Sequence, residues 1–71
     1  MEKNEPKTPA AILQAALARE LEARDFYADL SAHCHIDFIK SLLEKLRSEE
    51  ARHVAMVQEM IDRFHNGTDI V

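Results

Sequence analysis

Glu50-Ala51-Arg52-His53, inside the run Leu43-Glu44-Lys45-Leu46-Arg47-Ser48-Glu49-Glu50-Ala51-Arg52-His53-Val54-Ala55-Met56-Val57, decides the fold of this chain. Apolar residues around it fall at Ile39, Leu43, Leu46, Val57, Met60 and Phe64, spaced alternately by three and four. Glu50 and His53 fill the two positions that complete the series. The spacing is that of one helical face. A carboxylate and an imidazole in such a seam are costly unless something pairs with them. An inward Glu-x-x-His is how carboxylate-bridged helical bundles hold a pair of iron or manganese ions.

A second series precedes it. Leu13, Ala16, Glu20, Ala23, Tyr27, Leu30 and Cys34 repeat with the same heptad spacing, and Glu20 is its polar outlier. Thr8-Pro9 opens this helix, the threonine hydroxyl as cap and the proline at the first helical position, where it sacrifices no hydrogen bond. His33-Cys34-His35-Ile36-Asp37 reads as the turn, with Asp37 as cap of the second helix. Asn66-Gly67 ends that helix, because glycine takes the left-handed conformation that closes helices. The expected organisation is a disordered lead at 1–8, a helical hairpin at 9–66 and a loose tail at 67–71. Within the hairpin the helices cover about 9–33 and about 37–65.

Composition agrees with an all-α fold. The 71 residues are rich in Ala, Leu, Glu and Arg, with one Gly and two Pro. The formal charge is −4, which argues against nucleic acid, whose phosphates call for a clustered basic face. Cys34 is the single cysteine, so no intrachain disulfide is available and a reducing compartment is the simpler expectation. No apolar run approaches the ~20 residues of a membrane span. The first residues lack the apolar core of a secretion signal, so the expected location is the cytoplasm.

Two long helices joined by a short turn lie antiparallel. With the turn centred on His35, Glu20 and Glu50 are each fifteen residues away. At 1.5 Å per residue both carboxylates sit roughly 22 Å from the turn, at one height. The same symmetry pairs Tyr27 with Leu43 and Leu13 with Val57. Leu17, Leu21 and Phe26, with Leu42, Val54, Met56 and Ile61, widen the apolar stripe beyond what one hairpin covers. The expected remedy is a two-fold dimer of hairpins, a four-helix bundle.

Such a dimer collects two copies each of Glu20, Glu50 and His53 in one layer. Four carboxylates and two imidazoles suffice for two divalent ions, and the charges balance. Hard oxygen donors with one imidazole per ion suit Fe²⁺ or Mn²⁺, whereas zinc more often recruits sulfur or extra histidine. Such a pair of irons passes electrons to O₂ or peroxide. A reading of another class stands beside this one: a non-catalytic dimerisation or adaptor module whose buried polar layer fixes register.

Glu20-Leu21-Glu22-Ala23-Arg24-Asp25-Phe26-Tyr27, followed by Glu50-Ala51-Arg52-His53, resembles the ferritin-like superfamily. It is similar to rubrerythrins, and closer to the encapsulated ferritins, whose two-helix chains assemble a di-iron site across a dimer. The resemblance covers roughly residues 10 to 65. It implies a ferroxidase or related oxidoreductase, serving iron storage or defence against oxidative stress. It makes Glu20 a terminal ligand, Glu50 a bridging ligand, His53 a nitrogen ligand and Tyr27 a hydrogen-bond partner behind them. Two Fe ions per dimer site, or Mn in their place, are the implied cofactors. A homodimer at minimum, extending to a ring-like oligomer, and an encapsulin shell are the implied partners. Glu22 matches a carboxylate that guides metal inward, but Arg19 stands where another acid is usual and Phe26 where tryptophan is common. The tag that directs cargo into shells is not visible after Gly67. Rubrerythrin's cysteine-rich domain is not matched either, so peroxidase chemistry would draw on an external reductant.

Several residues carry simpler readings. His33, Cys34 and His35 alternate and share no helical face, so they read as turn residues with incidental histidines. Glu22, Asp25 and Glu49 read as a solvated acidic face. Met56 and Met60 read as core filler.

Overall fold

The structure, a computed structural model, describes residues 8–67. The expectations for the lead at 1–7 and the tail at 68–71 lie outside the described residues. Two helices, α1 (Pro9–Ala32) and α2 (Asp37–His65), form an antiparallel hairpin, and no strand occurs among the described residues. The all-α expectation holds.

The sequence explains each end. Thr8 is extended (φ −105°, ψ 156°) and its hydroxyl accepts from the Ala11 amide at 3.1 Å, with Pro9 next in the first turn. α2 closes at Gly67, whose φ of 71° lies in the left-handed region. The Gly67 amide donates to the Phe64 carbonyl at 3.1 Å. One expectation is corrected. Asp37 does not cap α2: Ile36 occupies the cap position with no side-chain bond, and Asp37 is the first helical residue. From inside the first turn its carboxylate complements the helix dipole rather than accepting the orphan amides.

The turn is tied. Lys40 Nζ donates to the Ser31 carbonyl at 2.9 Å, and Ser31 Oγ donates to Glu44 Oε2 at 3.4 Å. These bonds join the last turn of α1 to the first two turns of α2.

Burial corrects the heptad series in one consistent way. The buried residues among those described are Ser31, 7% exposed, and Ile61, 5% exposed. The series names Leu30 and Met60 instead, and both are exposed. Three turns of α-helix carry about 10.8 residues, so three turns beyond Glu20 fall nearer 31 than 30, and three beyond Glu50 nearer 61 than 60. Ile61 is thus the centre of the hairpin seam rather than part of an outer stripe. Ile39, level with the last turn of α1, is 36% exposed. Met56 is also exposed and is not core filler. Leu13, Leu17, Leu21 and Tyr27 of α1 are half-buried, as are Leu43, Leu46, Val54, Val57 and Phe64 of α2.

The exposed apolar residues share one side. At about 100° per residue, Phe38, Leu42, Met56 and Met60 fall within roughly 40° of one another on α2, about 120° round from Ile61. Ile12, Phe26 and Leu30 form an equally narrow stripe on α1, about 115° round from Ser31 in the same sense. Because the helices are antiparallel, equal rotation brings both stripes to the same face. This hairpin has an open face.

Candidate metal centre

α1 supplies Glu20 and α2 supplies Glu50 and His53. Glu50 and His53 are one turn apart on α2, and the level register of the hairpin sets Glu20 across from them. His53 Nδ1 stands 3.4 Å from Glu20 Oε1 and 3.4 Å from Glu50 Oε1. One ligand atom from each of the three lies within 4.8 Å of the others. Among the described residues this is the group of acids, histidines and cysteines close enough to share an ion. All three are half-buried, with Glu50 the least exposed at 22% and His53 the most at 43%.

The two acids strain one another. The hydrogen bond between Glu50 and Glu20 raises the Glu50 carboxyl above the ordinary glutamate value. Its partial desolvation and the charge on Glu20 add to the rise, while the hydrogen bond and charge of His53 oppose it. Like charges held together at a half-dry site favour a cation between them. The donor set fits a hard divalent ion. Ligand atoms bound at about 2.1 Å to one ion stand roughly 3 to 4 Å apart, and three protein donors leave coordination positions free.

Two residues named with this group make no hydrogen bond or ion pair to it among the described residues. The Tyr27 ring lies edge-on to Phe26, with centroids 5.3 Å apart, and its hydroxyl makes no hydrogen bond among the described residues. Glu22 is on the outer side of α1, 74% exposed and 3.9 Å from Arg19. At the turn, His33 bonds back to the Asp29 carbonyl at 2.9 Å and Cys34 Sγ donates to the Ile36 carbonyl at 3.7 Å, so no cluster forms there. The Ser31–Lys40–Glu44 tie was missed in the sequence, although it fixes the register that sets Glu20 opposite Glu50. Its signal was present: Lys40 and Glu44 share an α2 face four residues apart, and Ser31 is the small polar residue ending the α1 seam.

The EncFtn-like family model matches residues 3–70. The chain belongs to the EncFtn-like family. No curated protein and no solved structure gives a significant match. The EncFtn-like match spans both helices and includes Glu20, Glu50 and His53, in agreement with the resemblance to encapsulated, two-helix members of the ferritin superfamily. No helix of this EncFtn-like chain is, among the described residues, long and apolar enough to cross a membrane.

Proposed function

We propose that this protein is a cytoplasmic iron-oxidising enzyme. It binds Fe(II) at Glu20, Glu50 and His53 and presents two such groups in one layer of a two-fold dimer, where O₂ or peroxide accepts the electrons. The observation that carries the reading is the convergence of two carboxylates and an imidazole, with His53 Nδ1 3.4 Å from an oxygen of each acid. Family membership supports it.

The residues have separable tasks. Glu20 and Glu50 supply anionic oxygen on opposite helices, so a bound cation draws the hairpin together as well as relieving their repulsion. Glu50, whose carboxyl holds its proton more firmly than an ordinary glutamate, must release it to bind. His53 adds a nitrogen donor on the side nearest the open face. A second hairpin over that face doubles the set to four carboxylates and two imidazoles, excludes water and balances two divalent ions. Bound iron supplies the redox chemistry, one electron from each Fe(II) that becomes Fe(III). The same donors suit Mn(II), and metal analysis of purified protein tells the two apart. An encapsulin shell as partner rests on the family alone, and co-purification tests it.

Anaerobic Fe(II) followed by air should give near-ultraviolet ferric absorbance that saturates at about two irons per dimer. Absorbance growing no faster than in Glu50→Ala would defeat the catalytic reading. A register-fixing adaptor is the competing reading, and one observation favours it: His53 already stands within 3.4 Å of an oxygen of both acids. Protein that takes up neither iron nor manganese would establish that alternative.

A further inference from the structure

The acid–histidine group leaves one nitrogen unused. His53 turns Nδ1 toward the acids, 3.4 Å from an oxygen of Glu20 and 3.4 Å from an oxygen of Glu50. Ionised carboxylate oxygens only accept, so Nδ1 is the nitrogen that carries the proton, and the lone pair of the neutral ring falls to Nε2. A carboxylate behind the N–H is how a metal-binding histidine is commonly held: it fixes the tautomer and makes the opposite nitrogen more basic. Two thioethers follow on the same strip of α2. Met56 and Met60 stand three and seven residues beyond His53, within roughly 60° of it around the helix. Helical side chains slant toward the N-terminus, so from rises of roughly 4.5 and 10.5 Å both lean back toward the ring. Met56 is 60% exposed and Met60 44%, so neither is committed to the core that methionine usually fills.

We propose that His53 Nε2 and the sulfurs of Met56 and Met60 form a second metal site, for a soft monovalent ion of the Cu(I) class. Thioether sulfur selects such an ion and imidazole suits it, whereas the hard donors Glu20 and Glu50 lie on the other side of the ring. Met56 supplies the near sulfur and Met60 the third donor of a trigonal set. All three belong to one helix, so each chain holds one ion. The site and the acid group share a single lone pair. A neutral imidazole donates at one nitrogen only, so a divalent ion on Nδ1 moves the proton to Nε2 and closes the soft site, and an ion on Nε2 keeps the proton on Nδ1. The two ions therefore exclude one another. That exclusion rests on the metal reading above; the soft site itself does not.

Ag(I), which shares the donor preference of Cu(I) and has no redox chemistry here, is the probe. Cys34→Ser serves as background, because the thiol would compete for it. In NMR titration the methyl carbon of Met56 and the Nε2 of His53 should shift together, Met60 with them, and saturate at one Ag(I) per chain. Met56→Leu should raise the Ag(I) dissociation constant at least about tenfold while leaving Mn(II) uptake unchanged. Calorimetry after saturation with Mn(II) should show Ag(I) binding weakened. Shifts confined to Met1, a shift at Nδ1 instead of Nε2, or a Met56→Leu chain that binds Ag(I) as tightly as the parent overturns the site. Ag(I) and Mn(II) bound together at full occupancy overturn the exclusion and spare the site. Ag(I) bound at Met56 by a chain that takes up neither Mn(II) nor Fe(II) upholds the site and defeats the iron reading instead.

Discussion

Replacing Glu50 by Gln gives the sharpest test of the metal centre, because its consequences with and without metal have opposite signs. Gln keeps the shape of the side chain and mimics the protonated carboxyl that Glu20 already favours. Metal-free Glu50→Gln should therefore melt above the metal-free parent. With metal the order reverses. An ion held only by the folded dimer stabilises it by about 2.7 kcal/mol when free metal is a hundredfold above its dissociation constant. The donor count implies two ions per dimer, so the parent gains about 5.4 kcal/mol when both bind independently. Two chains of 71 residues unfold with an entropy of about 0.3 kcal/mol/K, which converts that gain to a rise in Tm of about 18 °C. Loss of outer partners alone weakens metal sites 10- to 100-fold, so loss of an anionic ligand should cost at least about a hundredfold and cut the rise to about 3 °C. Calorimetry with Mn(II), which binds without turning over, measures all four states. A parent indifferent to metal, or a variant that gains as much as the parent, refutes the argument.

Three further outcomes are expected. In the folded state Glu50 holds its proton to higher pH than in the unfolded chain, so its contribution to stability falls as pH rises from the ordinary glutamate range through the raised value. Metal-free melting curves of parent and Glu50→Gln across that range should therefore differ by a gap that widens with pH; a gap that narrows refutes the sign. Ile61→Ala, at the most buried apolar residue among those described, should cost about 2–5 kcal/mol in urea unfolding, because a hairpin this thin has nothing behind Ile61 to fill the space. Glu22→Gln should leave both the two-ion stoichiometry and the affinity unchanged in titration calorimetry, since Glu22 faces solvent and Arg19; a lost ion would place it in the site.

The sequence by itself determined the elements and the polar layer. Thr8-Pro9 and Asn66-Gly67 mark helix ends through chemistry local to those residues, and each works in the structure as the sequence implies. Glu20 and Glu50 were legible as opposed because equal counts from a turn become equal heights along antiparallel helices. Only tertiary structure decided which neighbours of the seam are covered. A heptad count treats the helix as 3.5 residues per turn, whereas a straight helix turns every 3.6, and over three turns that difference moves burial from Leu30 to Ser31 and from Met60 to Ile61. The closeness of His53 to both acids, the rise of the Glu50 carboxyl and the outward turn of Glu22 depend equally on how the helices are rotated about their axes. That rotation is set by the sum of packing and the Ser31–Lys40–Glu44 tie, and no single stretch of residues encodes it.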